Sequence, residues 1–322
     1  MKSSIQSSIA VLSIILLTMN CEKDKTAPQT FPGDKIATYS VASESALRQI
    51  PVQYINAARN NLHIAYQHTS HGTHVSYGLF GLQDYKQGDD VLFGITNNNP
   101  TADKLDFRDY AMQDYAAGGE TAVDLSADET GFIQATRNYI NDPDNAGINV
   151  VMWSWCSISG HNVTGNYLPG MQTLINEYGQ GGTKIGIGAG QRVNPVTFIF
   201  MTGHAEIDNI GNLRPKNQAD TIIGYCNANG YFCLDYYGID SHDMNERYWE
   251  DSGDNGNSDI YGGNFYLDYQ NSHQVGVHYY ENKSSPGGSI TFGAHNTQHI
   301  TANRKAYAMW WILARIAGWD GR

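Results

Sequence analysis

Five short apolar runs punctuate the chain: His63–Gln67, Leu105–Tyr110, Asn149–Trp155, Val196–Thr202 and Tyr231–Tyr236. Each is apolar at nearly every position rather than at alternate ones, which marks strands covered on both faces. Helical periods lie between them, over Thr130–Ile140, Tyr167–Tyr178 and Asn217–Asn227, and Val75–Leu82 can begin a helix after the first run. An Ala-rich stretch with Trp310 and Trp311, Thr301–Ala317, closes the pattern. Strands alternating with helices predict an α/β fold built on a parallel sheet. No repeat or linker interrupts residues 46–322, so this span reads as one domain. Glu246 to Gly293 stands apart, rich in Gly, Asn, Asp, Ser and Tyr and poor in helical period. It reads as a long insertion, and such loops commonly carry function. Its rings and amides suit carbohydrate, with rings against C–H faces and amides on hydroxyls; a surface loop without a ligand fits equally.

The N-terminal segment has a different pattern. Lys2 and the apolar stretch Ile9 to Leu17 read as a secretory signal over residues 1–20. The stretch is too short to span a bilayer comfortably. Leu17-Thr18-Met19-Asn20-Cys21, followed by Glu22-Lys23-Asp24-Lys25, resembles a bacterial lipoprotein signal with Cys21 as the lipidated residue. Residues 21–45, with Pro28, Pro32 and Gly33, then read as a tether. The expected place is the cell envelope, with membrane contact through the lipid anchor only. The formal net charge is −12 and no basic run exists, which argues against nucleic acid as a partner. Export permits disulfides. A Cys226–Cys233 bridge is open on spacing, while the strand-like setting of Cys233 weighs against it.

Reactive side chains gather where strands end. The first run closes in His68-Thr69-Ser70-His71-Gly72. A serine on a strand-to-helix turn lies at the carboxyl edge of a parallel sheet, where such folds place ligands and helix amides favour an anion. The same serine can equally be a helix N-cap. Further reactive groups are Cys156 with Gly160-His161-Asn162, then His204, the segment Asp235 to His242, and Asn296-Thr297-Gln298-His299. Together they contain what a serine hydrolase needs: a nucleophile, a histidine base, a group to orient it and oxyanion donors. Two metal readings are weaker. His68, His71 and His74 recur at every third residue, but a turn need not converge them. Asp251 to Asp259 has the composition of a calcium loop without the EF-hand register. Neither a metal nor another cofactor is expected.

The order of these motifs resembles the SGNH hydrolases, the GDSL-like esterases, over about residues 60 to 317. In that superfamily the nucleophilic serine follows the first strand, and the histidine lies three residues after an acid, just before the last helix. His68-Thr69-Ser70 and Asn296-Thr297-Gln298-His299 occupy those places. A His-x-Ser-x-Gly branch is more similar still. It matches His68–Gly72, the strand end Trp153-Ser154-Trp155-Cys156, Arg214 with Asn217, and Phe232-Cys233-Leu234-Asp235.

The resemblance implies a flavodoxin-like three-layer α/β/α sandwich with five strands in order 2-1-3-4-5. It implies Ser70 as nucleophile and His299 as base. Asn296 stands in place of the acid, and can orient an imidazole but not stabilise its charge. Asp235, Asp240 or Asp243 can substitute. The oxyanion would rest on the amides of Ser70 and of Gly118 or Gly119. Asn162 would supply the family's asparagine, because Cys156 stands at its expected place. His68, His71, His161, His204 and Arg214 would line the substrate site. The function expected is an esterase removing acyl groups from carbohydrate. Two other readings stand beside it: an inactive surface glycan-binding protein, and glycosidic cleavage by carboxylates near Asp235 and Asp240.

Overall fold

The computed structural model describes residues 35–208, 210, 211 and 214–322. The signal segment, Cys21 and the tether up to residue 34 lie outside the described residues. Among the described residues no helix is long and apolar enough to cross a membrane.

Six parallel strands form the central sheet. They are β1 (Ile36–Ala37), β2 (His63–Gln67), β3 (Asp106–Asp109), β4 (Val150–Trp153), β5 (Thr197–Met201) and β6 (Phe232–Leu234). Their spatial order is β1-β6-β5-β4-β2-β3. The five expected strands therefore stand in the expected order, and β1 adds a sixth beyond β6. This corrects the tether, which was read as running to residue 45. Ile36 pairs with Cys233 and Ala37 with Leu234, and a helix follows at Glu44–Arg48.

Side chains along each strand alternate between two cores, as the pleat requires. Ile64, Tyr66, Val150, Met152, Ile199 and Leu234 face the helices Val52–Asn61, Thr73–Leu82 and His299–Ile316. Ala65, Val151, Trp153, Phe198, Phe200 and Cys233 face Gly131–Asn141, Leu168–Tyr178 and Pro215–Asn229. The result is a three-layer α/β/α sandwich with both sheet faces buried, which is why the strands read as continuous apolar runs.

The last helix is buried from His299 to Ala314. It crosses Thr73–Leu82 so closely that a Cβ on Gly78 would lie 2.1 Å from the Ala302 carbonyl oxygen. Its polar residues reach into the insertion and the chain before it. Asn303 bonds the backbone of Tyr280, Arg304 bonds the Ile239 carbonyl and the Tyr266 hydroxyl, and Lys305 pairs with Asp240. The insertion itself holds a small hairpin (Asn257–Ser258 with Gly263–Asn264) and a helix, Phe265–Ser272, that its weak periodicity did not announce.

Asp235 ends β6 as a helix cap. Its Oδ1 accepts from the Gly238 amide at 2.9 Å and from the Thr202 hydroxyl at 3.2 Å. Burial pushes its carboxyl up to about 6, against the pull of those bonds. The folded value thus exceeds the unfolded one, so the stability it contributes is complete below about pH 4 and lost as pH rises through about 6. Asp235→Asn keeps the cap acceptor and removes the charge. It is expected to stabilise by up to about 2 kcal/mol at pH 8 and hardly at all at pH 4. Thermal unfolding at the two pH values checks this; an equal shift at both would contradict it.

Candidate functional site

β2 ends in a turn that the fold holds rigidly. Gln67 accepts from the amides of Met112 (2.7 Å) and Gln113 (2.9 Å) and donates to the Val123 carbonyl. This draws the loops after β3 toward the turn. Ser70 then adopts φ 43°, a left-handed conformation costly for a residue with a Cβ. Such strain persists only where the surroundings impose it, and it concentrates at functional sites. Here the surroundings are specific. Tyr66 donates to the Gly72 carbonyl (2.9 Å), and Tyr236 donates to the His71 carbonyl (2.7 Å). Gly72 touches the end of β4, where a Cβ would lie 2.3 Å from Ser154 Oγ and 2.5 Å from His68 Cβ. The glycine of His-x-Ser-x-Gly is thus a packing requirement between two strand ends.

The turn presents His71 to a cysteine and a carboxylate. Cys156 follows β4, its amide donating to Ser126 Oγ at 2.9 Å. Its sulfur lies 3.7 Å from His71 Nδ1. On the other side, His71 Nε2 lies 3.5 Å from Asp254 Oδ2. Asp254 comes from the insertion and is held by Asn296, whose Nδ2 donates to its Oδ2 (3.1 Å) and its carbonyl (3.3 Å). Two more histidines sandwich the His71 ring: His204 at 3.6 Å and His295 at 4.2 Å between centroids, both nearly parallel to it. His204 donates from Nδ1 to the Ala205 carbonyl (2.8 Å), leaving Nε2 to face Glu206 at 3.5 Å.

The charges follow from this geometry. Burial works against the His71 imidazolium, but Asp254 and Cys156 outweigh it and lift His71 to about 9. The His71 contact lowers the Cys156 thiol, against burial and with help from the Ser70 hydroxyl. Burial would raise Asp254, yet its bond and charge interaction with His71, with His204 and His74 adding, hold it well below the usual carboxylate range. His204 falls to about 4, first through burial and then through the neighbouring His71 cation. At neutral pH the site therefore holds an imidazolium and a carboxylate in a row with the Cys156 sulfur, whose deprotonation the imidazolium favours. A neutral imidazole lies against the cation, since stacked rings cannot both be charged cheaply.

The expected catalytic pair is arranged differently. Asn296 faces Asp254 rather than His299, and its Oδ1 accepts from the Gln298 amide at the start of the last helix. His299 accepts at Nδ1 from the Asn282 amide (3.1 Å) and stacks on Phe292. Asp235 is the helix cap described above. Asp240 pairs with Lys305 at 2.5 Å, and Asp243 accepts from Trp249 Nε1 and the amides of Asn245 and Arg247. None of these three aspartates is placed to orient His299.

The oxyanion candidates differ as well. Asn162 is exposed and caps the next helical turn through Gly165. Gly118 and Gly119 lie on an exposed loop. Of the expected substrate-lining residues, His71 and His204 are in the site. His68 is fully buried, bonded to Asp109 at 2.7 Å and stacked on Tyr66, so it supports the turn from below. His161 bonds Glu129 and Arg214 pairs with Asp208. Cys156, Asp254 and His295 are the residues that sequence reasoning left without a role. Cys156 carried a signal, being at a strand end in the place of a family asparagine. Asp254 carried only the composition of its loop.

The two weaker metal patterns of the sequence are not assembled. His68 and His74 bond Asp109 and Tyr236, and Asp251 accepts from Ser258 and Ile260. Two other groups do bring ligand atoms within 4.8 Å: His71, Cys156 and His295, and His71, His204 and Asp254. The contact between the Cys156 sulfur and His71 Nδ1 also suits proton transfer between them. Cys156, Cys226 and Cys233 are all free thiols, so the Cys226–Cys233 bridge left open by spacing is not formed.

Comparison with family models, with curated proteins and with solved structures gave no match.

Proposed function

We propose that the chain is an acyl hydrolase that works through a thiolate, with Cys156 as nucleophile, His71 as acid and base, and Asp254 as the group that orients and charges His71. One observation carries this reading: His71 turns one ring nitrogen to the Cys156 sulfur and the other to the Asp254 carboxylate. The thiolate attacks the ester carbonyl, and the tetrahedral oxyanion forms beside the turn Ser70–Gly72. As the C–O bond breaks, His71 passes its Nδ1 proton to the leaving alkoxide. Water, losing a proton to the now neutral His71, then cleaves the thioester and returns the thiolate and the imidazolium. Asn296 is a positioning residue, acting through Asp254.

The resemblance to SGNH esterases supports an ester as the bond cut, and the aromatic and amide-rich insertion supports acylated carbohydrate as the substrate. The lipoprotein-like signal supports a lipid anchor in the cell envelope. A second reading keeps Ser70 as nucleophile, and the left-handed backbone of Ser70 favours it. Trapping separates the two. Iodoacetamide is expected to modify Cys156 and block turnover of p-nitrophenyl acetate, with a fluorophosphonate leaving Ser70 unlabelled. Stoichiometric fluorophosphonate on Ser70 would transfer the nucleophile role to the serine. If neither reagent reacts and no ester turns over, a glycan-binding protein without this chemistry is left.

A further inference from the structure

We infer that the insertion carries a separate subsite for one neutral sugar residue, in the cleft between the turn at Asp243 and the helix Phe265–Ser272. The proposal deepens the acyl hydrolase reading by placing the carbohydrate, but binding at this cleft does not depend on Cys156. The cleft measures about 280 Å³, close to the lower end of small-ligand sites. It adjoins the cluster of Trp249, Phe265 and Tyr266 that packs the insertion together, and Phe265 lines it.

Its lining is aromatic and neutral-polar with a single free carboxylate oxygen. Tyr261 and Tyr269 form two walls. Both rings are fixed. Tyr261 donates its hydroxyl to Asp268 Oδ2 at 3.0 Å, and Tyr269 stacks on His273 at 3.9 Å. A ring supported from behind keeps its other face for a ligand and loses little freedom on binding, so its contact is not offset by ordering. A flat ring without a cation nearby suits the C–H face of a pyranose. His273 donates from Nδ1 to the Tyr269 carbonyl, which leaves Nε2 as an acceptor. Asp268 also presents an acceptor oxygen, since the Tyr261 bond is to Oδ2 alone, and Asn245 brings an amide. Asp243, by contrast, has both oxygens bonded to the Asn245, Arg247 and Trp249 N–H groups and serves to shape the floor. Acceptors flanking rings match sugar hydroxyls. A uronic acid or a phosphate would meet Asp268 in a chain of net charge −12, so the sugar is neutral.

The same insertion supplies Asp254 to the thiol site. A glycan held at this cleft is thereby attached to the element that completes the catalytic row.

The test uses the full chain and two readouts. Calorimetry with neutral hexose oligosaccharides, and with uronic-acid oligosaccharides as the charged comparison, reads the cleft. Turnover of p-nitrophenyl acetate, which has no sugar, reads the thiol site. A neutral oligosaccharide is expected to bind, with Tyr269→Ala weakening it about tenfold and Tyr269→Phe retaining it. Both variants are expected to leave p-nitrophenyl acetate turnover unchanged, which also shows that they fold. Binding that is absent for every neutral oligosaccharide, or indifferent to both Tyr269→Ala and Asp268→Ala, overturns the subsite and leaves the acyl hydrolase reading intact. Saccharide binding without any ester turnover supports the subsite and overturns that reading instead.

Discussion

Cys156→Ala and His71→Ala each lose about a thousandfold or more in kcat on a small ester, and the double variant loses little beyond either alone, because the two act as one unit. The same pair sets a pH signature that a merely structural role would not. The imidazolium beside Cys156 favours the thiolate, so the midpoint of alkylation by iodoacetamide is expected below that of an ordinary thiol. Its alkaline partner is His71, raised to about 9. Asp254→Asn removes the carboxylate that raises His71, so the imidazolium loses its proton at lower pH and the thiolate loses its counter-charge. The midpoint of alkylation then moves up toward that of a free thiol. Asn296→Ala, which frees Asp254 without removing it, moves the midpoint in the same direction by less. Full ester turnover by Cys156→Ala, or an ordinary thiol profile in the parent chain, sinks this arrangement.

Lys305→Met is expected to destabilise the chain by about 3–5 kcal/mol, the range for leaving one member of a buried ion pair without its partner. Lys305 and Asp240 are both fully buried and 2.5 Å apart. Burial pushes the Asp240 carboxyl up to about 6, with Lys305 working against that rise. Without Lys305 the acid takes up its proton more readily. The deficit measured by urea unfolding should therefore be largest at alkaline pH and shrink as pH falls toward 6, where Asp240 takes up its proton in the parent chain too. Asp240→Leu placed on Lys305→Met should recover much of it, since no charge is then left in the core. Asp240 Oδ2 also accepts from the Ala205 amide (3.3 Å), next to His204. The single variant is thus expected to disturb the ring stacked on His71. A loss under about 1 kcal/mol that does not vary with pH would show the pair to be dispensable.

The parts of this molecule that were legible in the sequence are those fixed by local pattern. Continuous apolar runs such as Asn149–Trp155 belong to buried parallel strands, and they are found there, in the order expected. Ser70 and Cys156 were placed at strand ends, and both meet at the carboxyl edge of the sheet. Two residues, Ile36 and Ala37, are too few to show a period, so β1 was hidden within a polar stretch. The site failed to be legible for another reason. Asn296 and His299 have the spacing of an acid and a base, but spacing does not say which way a segment faces. Packing against the insertion turns Asn296 to Asp254 and His299 to the Asn282 backbone. Asp254 had only the acidic composition of its loop to mark it, because its partner His71 is reached through the tertiary fold.

The separation between those partners also dictates when the site is assembled as the chain is made. The turn that carries His71 is synthesised early, Asp254 follows roughly 180 residues later, and Asn296, which holds it, is later still. β1 likewise pairs only with β6, across most of the chain. Contacts so distant close slowly, and a chain emerging residue by residue holds its cysteine without carboxylate or imidazolium support until almost everything is in place. The surroundings that lower the Cys156 thiol are thus a product of completed folding: an unfinished chain carries an ordinary thiol there.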